Sequence, residues 1–128
     1  MKVAITSKGK TLDSEVETRF SRSPFFVFVN TATGGLNALK NPGASAKDAA
    51  CVDAVRFLVG QGVQVVLTGN VGHNALITME DTDIRIYLGA TGSVRETLVR
   101  FNKRKLRRAR EPSVGFQHGL EKDTIGKG

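Results

Sequence analysis

Two stretches of sequence decide the fold: residues 63–72 (VQVVLTGNVG) and residues 84–93 (IRIYLGATGS). Each begins as an apolar strand, continues into a glycine-rich loop and is followed by a helical pattern. In a parallel sheet, both loops would leave the carboxyl ends of their strands at one edge, where open α/β sheets bind ligands. Glycine allows close approach of the main chain, and a helix N-terminus favours anions. The two stretches therefore predict a site for a negatively charged ligand.

The pattern of apolar residues elsewhere in the chain completes an α/β fold. Right-handed crossovers place the last two strands beyond the first strand, opposite an antiparallel hairpin, which gives a five-stranded mixed sheet covered by helices. Residues 12–19 show no periodicity that assigns an element. Strands are predicted at 2–6, 25–30, 36–40, 63–67 and 84–88, and helices at 46–59, 73–80 and from Ser93 to about 102. Capping boxes are predicted at Ser45 with Asp48 and at Ser93 with Glu96.

Length and composition set the class of protein. A chain of 128 residues with 40% hydrophobic residues is long enough for one core. No apolar run is long enough to cross a bilayer, and the first residues lack signal-peptide organisation, so we expect a cytoplasmic protein. The only cysteine, Cys51, excludes an internal disulfide and a multi-cysteine metal site. Its place on an apolar helical stripe predicts a small hydrophobe.

Most of the net charge of +7 comes from one segment, residues 103–110 (KRKLRRAR). We therefore predict a nearly neutral α/β domain over residues 1–102, with a basic extension and tail over 103–128. The favoured interpretation of the basic run is a solvated helical extension with Leu106 packed inward. The first alternative is a regulatory or scaffold module that docks an acidic protein through this run. Nucleic-acid contact through phosphates is a weaker third option, because no aromatic residue interleaves the run.

The sequence contains no catalytic constellation. There are two histidines, His73 and His118, far apart in the chain. The acidic residues do not recur at strand ends as two-metal chemistry requires, and the first strand carries no carboxylate. Neither a nucleophile elbow, nor a P-loop, nor a dinucleotide-binding glycine motif is present. We therefore do not expect an enzyme.

Taken together, the motifs resemble the dinitrogenase iron-molybdenum cofactor biosynthesis family over about residues 1–119. Each motif alone is weak, but their order and spacing together are specific. The resemblance implies a three-layer, ribonuclease H-like α/β/α fold without ribonuclease activity. The matching pieces are MKVAITSKGKTLDSEV, RFSRSPFFVFV, NPGA, VQVVLTGNVGHNAL, IYLGATGSVRETLVRF and VGFQHG.

The resemblance also implies a function. Family members bind iron-sulfur or iron-molybdenum cofactor precursors and carry them between assembly proteins, and related orange proteins hold a molybdenum-copper sulfide cluster without covalent attachment. We therefore expect non-covalent carriage of a metal-sulfur cluster between donor and acceptor proteins. The expected cleft comprises Ser7, Lys8, Gly9, Arg19, Arg22, Thr68, Gly69, Asn70, Gly72, Gly89, Ala90, Thr91, Gly92 and Ser93.

Several of these residues have a structural alternative. Arg19 and Arg22 match the family's RFxR motif and could balance the charge of a sulfide cluster, or one of them could pair with Glu15 or Glu17. Asn70 could donate to the ligand or cap the helix that follows.

Two histidines are candidate metal ligands. His73 could ligate a metal at a helix start or simply contact the backbone there. His118 could reach the cleft from a tail that is otherwise expected to be disordered.

Overall fold

A six-stranded mixed sheet forms the centre of the computed structural model, which describes residues 1–45 and 50–110. The strands are β1 (Lys2–Ser7), β2 (Phe25–Asn30), β3 (Leu36–Lys40), β4 (Val65–Leu67), β5 (Arg85–Leu88) and β6 (Arg107–Arg108). The helices are α1 (Ala50–Gly60), α2 (His73–Glu80) and α3 (Val94–Asn102), with short 3₁₀ helices at Phe20–Arg22 and Pro42–Ser45. The strand order is β3-β2-β1-β4-β5-β6. β4 is parallel to both β1 and β5, whereas β2, β3 and β6 pair antiparallel with their neighbours.

The predicted class and strand order are confirmed, with one strand more than expected. The sixth strand lies in the basic run, where a solvated helical extension was predicted, and that interpretation is wrong. α3 ends at Asn102, and Arg104 adopts a left-handed conformation with φ of 60° that turns the chain back. Pairing with the open edge of β5 then satisfies main-chain groups that a separate helix would leave exposed. Leu106 packs inward, as predicted.

The sheet separates two hydrophobic cores because alternate strand residues face opposite sides. One core packs α1 and α2 against Ala4, Phe26 and Val66, and the other packs α3 against Val3 and Val65. This arrangement gives three layers. Cys51 is half-buried and packs against the first core, as predicted.

Local capping signals in the sequence are confirmed where the structure describes them. Ser93 and Glu96 form the predicted capping box at the start of α3. The predicted pair of Ser45 and Asp48 lies outside the part of the chain whose side chains are described. Within residues 1–45 and 50–110, no helix has the length and apolar character needed to span a membrane.

Candidate functional site

The two glycine-rich loops meet at one edge of the sheet, as the sequence predicted. The carboxyl ends of the parallel strands β1, β4 and β5 lie there, and Ser7 at the end of β1 pairs with Phe25 at the start of β2. The loops are hydrogen-bonded to each other. The N–H groups of Gly89 and Ala90 donate to the carbonyls of Gly69 and Thr68 at 3.2 and 3.1 Å.

A segment without a predicted element crosses this edge. Residues 12–20, the crossing segment, run past the loop after β5, the end of β1 and the loop after β4. The Val16 N–H donates to the Gly92 carbonyl at 2.8 Å, and the Thr6 hydroxyl donates to the Glu17 carbonyl at 2.6 Å. The Asn70 N–H donates to the Thr18 carbonyl at 2.6 Å. The crossing segment thus joins all three strand ends.

The crossing segment uses the main-chain donors at the start of α3. Val94 N–H donates to the Ser14 carbonyl at 2.9 Å, and Arg95 N–H to the Leu12 carbonyl at 2.8 Å. The capping box takes two more donors, since Ser93 N–H donates to Glu96 Oε1 and Glu96 N–H donates to Ser93 Oγ. These four groups are therefore unavailable to a ligand, and the Glu96 carboxylate makes this position less favourable for an anion.

Arg100 holds the loop after β5 in place from the same side. Its guanidinium donates to the Gly89 carbonyl at 3.2 Å and to the Thr91 carbonyl at 2.6 Å. No sequence pattern indicated this role, because an arginine on a helix is usually solvated. Together with the capping box, Arg100 fixes the second glycine loop within the protein itself.

The start of α2 differs from that of α3. Gly72 is the N-cap of α2, so the alternative in which Asn70 caps this helix is wrong. Asn70 lies two residues before the N-cap, and its main-chain N–H and carbonyl are hydrogen-bonded to Thr18 and Phe20. His73 begins α2 as predicted and is half-buried. Glycine has no side-chain oxygen to accept from the first N–H groups of the helix, in contrast to Ser93 at the start of α3.

The RFxR motif lies beside this helix start. Arg19 forms a parallel bridge with Asn70, and residues Phe20–Arg22 form a 3₁₀ helix anchored by the buried ring of Phe20. Arg19 and Arg22 are exposed, and across residues 1–45 and 50–110 no acid pairs with Arg22. The motif therefore presents cationic side chains next to the start of α2.

Glu17 fixes the direction of Arg19. The carboxylate is 9% exposed and accepts from the Arg19 N–H at 3.1 Å and from its Nε at 3.3 Å. This is the pairing that the sequence offered as an alternative to ligand binding. Burial raises the pKa of Glu17, but the hydrogen bonds and charge of Arg19, aided by Lys8, lower it below its ordinary value overall. The pairing thus leaves a charged guanidinium at the surface in a set orientation.

The other predicted site residues differ in how deeply they are buried. Ser7, Thr68, Gly69 and Ala90 are buried and form the floor of the edge, not its surface. Thr68 lies 2.9 Å from Thr6, oxygen to oxygen, beneath the crossing segment. Lys8, Gly89, Thr91 and Gly92 are exposed, Gly9, Asn70, Gly72 and Ser93 are half-buried, and His118 lies outside the described residues.

Buried polar residues that were not predicted as site residues hold the RFxR motif in position. Asn41, from the NPGA motif, is 4% exposed and donates to the Ser23 carbonyl at 2.9 Å, and Ser23 Oγ accepts from the Ser7 N–H at 2.9 Å. Polar residues in loops are usually solvated, so no sequence pattern distinguishes these buried ones. They tie the RFxR turn to β1.

The described residues supply no chelating set for a bare metal ion. In residues 1–45 and 50–110, no three histidine, cysteine, aspartate or glutamate side chains cluster closely enough to hold one. The cationic groups exposed at this edge are Arg19, Arg22 and Lys8. Such donors suit an anion that brings its own ligands.

We expect the stability of the protein to fall on acidification partly because of Glu17. Its folded pKa is lowered, so its stabilising effect is full above about pH 4.5 and is lost as the pH falls below that value. Urea unfolding of Glu17→Gln should show its largest deficit against the wild type near neutral pH and a smaller one at about pH 3.5. Glu15→Gln is the control, since Glu15 is 68% exposed in a surface pair. Parallel pH profiles for the wild type and Glu17→Gln would contradict the assignment.

Fold and edge together define a small α/β protein in which two glycine loops, the RFxR motif and the start of α2 lie at one edge of a mixed sheet. The chain belongs to the family described as "Dinitrogenase iron-molybdenum cofactor", which matches residues 1–104. No curated protein matches the sequence.

Solved structures agree with this assignment. The chain is similar to the apo form of the orange protein from Desulfovibrio gigas, with a TM-score of 0.83 and 29% identity over 87% of this chain and 94% of that one. A Thermotoga protein, provisionally described as a NifB protein of the DUF35 family, gives a TM-score of 0.74 and 33% identity over 84% and 91%. A Methanocaldococcus jannaschii protein, provisionally described as a dinitrogenase, shares the fold with a TM-score of 0.65 at 16% identity over 88% and 97%. Family and orange-protein likeness point to a binding or carrier role and not to catalysis.

Proposed function

We propose that this chain binds a preassembled, anionic metal-sulfur cluster without covalent attachment and carries it between cluster donor and acceptor proteins. The cluster is of the iron-molybdenum cofactor precursor type or of the molybdenum-copper sulfide type. The observation that carries the proposal is the Arg19–Asn70 bridge, which brings the RFxR motif beside the start of α2, where Gly72 is the N-cap. Family membership supports cofactor carriage as the general role.

Within the predicted cleft, we propose that the cluster binds in the half around Arg19, Arg22, Gly72 and His73. The half around Gly89–Ser93 is less suited, because its helix-start donors are already engaged and Glu96 adds negative charge there. The cluster's own sulfides would accept hydrogen bonds from the guanidinium groups and from main-chain N–H groups. In this proposal His73, the first residue of α2, is the candidate ligand or donor to the cluster. The lack of a chelating set among the described residues fits a guest that arrives assembled.

Retention of a soluble thiometallate tests the proposal. The apo protein is mixed with tetrathiomolybdate, with and without copper, and passed over a sizing column. We expect sulfide-to-metal charge-transfer bands that elute with the protein. If the wild type retains no colour under either condition, the proposal is wrong.

We further expect Arg22→Gln to weaken cluster retention by about tenfold, since it removes an exposed charge-assisted donor beside α2. The matched control is Arg95→Gln. It makes the same charge change at the start of α3, where Arg95 already pairs with Asp13 at 3.0 Å. Titration of both variants with tetrathiomolybdate, followed by absorbance, measures the difference. Equal weakening by the two variants would show that overall charge, and not the RFxR half of the edge, determines binding.

A further inference from the structure

A groove of about 230 Å³ lies between the last turn of α2 and the edge strand β6. α2 starts at the candidate site and runs away from it, so the groove lies at the other end of that helix. Its apolar lining consists of Leu76, Met79, Ile84, Ile86 and Ala109. Met79, Ile84 and Ile86 are 3%, 8% and 3% exposed and belong to the core that packs α1 and α2 against the sheet. These side chains therefore form a small apolar floor, of which little is exposed.

Charge along the groove is predominantly positive. Arg85, Arg108 and Arg110 line it, against one carboxylate, Glu80, at the end of α2. All six cationic residues of the run 103–110 are exposed, and none of them forms an ion pair within the two described ranges. An uncompensated positive field beside an apolar floor suits a ligand with both carboxylates and an apolar side chain.

Among the described residues, no strand pairs with the outer edge of β6, which lies beside the same groove. Ala109 N–H donates to the Ile86 carbonyl at 2.8 Å, so the main-chain polar groups of Ala109 point toward β5. In an antiparallel pair, the neighbouring residue turns its main-chain groups the other way. Arg108 therefore directs its N–H and carbonyl away from the sheet, toward a position where an extended peptide can pair with it.

We propose that this groove docks an acidic, extended peptide segment of a partner protein, with one apolar side chain seated on the floor. The arginines pair with the carboxylates of the segment, and the apolar residue buries against Ile84 and Ile86. A nucleic acid fits the charge but makes no use of the apolar floor, and no aromatic residue among the lining residues offers a stacking surface. The inference is independent of the cluster, which is bound at the other end of α2.

A peptide titration of the 128-residue chain tests this inference. The probe is a fluorescein-labelled acidic peptide with one central leucine, and its matched partner has serine in place of that leucine. Fluorescence polarisation should show about tenfold tighter binding of the leucine peptide, as expected for the burial of one leucine side chain. The double variant Arg108→Glu/Arg110→Glu should weaken binding by about tenfold or more.

The control variant reverses the same number of charges outside the groove. Lys103→Glu/Lys105→Glu lies in the same basic run, but neither residue lines the groove, so binding should weaken by less than about threefold. Equal loss in both double variants, or equal binding of the two peptides, overturns the proposal in favour of diffuse attraction to any polyanion. Tighter binding of a DNA duplex than of the leucine peptide, or self-association that the peptide does not disrupt, also overturns it.

Discussion

Replacing Gly69 with alanine is expected to destabilise the protein by about 3 kcal/mol and to abolish cluster retention. A Cβ at this position would lie 2.8 Å from both the Cα and the carbonyl oxygen of Thr18. These are backbone atoms, so no side-chain rotation relieves the contact. The crossing segment must then move away from the loop after β4, and the Asn70–Thr18 hydrogen bond and the position of Arg19 are lost with it.

The control for this prediction is Gly60→Ala. A Cβ at Gly60, the last residue of α1, meets no atom within 4 Å, so the same chemical change should alter stability by less than about 0.5 kcal/mol. Urea unfolding followed by circular dichroism gives both free energies of unfolding. If Gly69→Ala unfolds at the wild-type urea concentration, the crossing segment is not packed on Gly69 as described. If it unfolds early yet retains thiometallate normally, the crossing segment does not organise the binding site.

Phe26→Ala is expected to cost about 4 kcal/mol of stability, a large part of what a domain of this size has. The ring is fully buried at the centre of an aromatic group, with centroids 5.9 Å from Phe20, 6.3 Å from Phe28 and 6.2 Å from Phe57. Its removal leaves a cavity where β2, α1 and the RFxR turn meet. Because Phe20 anchors that turn, retention of thiometallate should fall as well.

Two further variants separate cavity formation from a general sensitivity of the hairpin. Phe26→Leu should cost clearly less than Phe26→Ala, because it leaves a smaller cavity. Leu36→Ala, on the neighbouring strand, should cost less than about 0.5 kcal/mol, because Leu36 is 50% exposed. Thermal unfolding measures all three. Similar losses for Leu36→Ala and Phe26→Ala would contradict the assignment of Phe26 to the core.

The elements that the sequence predicted are those whose signals are local. The apolar run of β4 indicated a central strand, and the aromatic and β-branched run of β2 indicated the first arm of a hairpin. Ser93 and Glu96, three residues apart, were sufficient to predict the start of α3. The right-handed crossover rule then gave the order of the strands, because few connections satisfy it.

The candidate site was predictable in position but not in detail. Glycine loops after two parallel strands meet wherever such strands end together, so their meeting at one edge followed from the sequence. The sequence did not indicate that the main-chain N–H groups at the start of α3 are hydrogen-bonded to the crossing segment. Residues 12–20 have no hydrophobic period, and their partners are distant in sequence. The strand β6 escaped prediction for the same reason, because two arginines pair with β5 through their main chains only.

The sequence by itself determined five of the six described strands, the three helices, their order and the edge at which the glycine loops gather, because periodicity, capping and handedness act over short distances along the chain. Only the tertiary structure decided that the crossing segment uses the donors of α3, that Gly72 is the N-cap of α2 and that the RFxR motif lies beside it. Main-chain hydrogen bonds between remote segments depend on backbone direction and hardly on side-chain identity. They therefore leave no trace in the amino-acid pattern until the chain is folded.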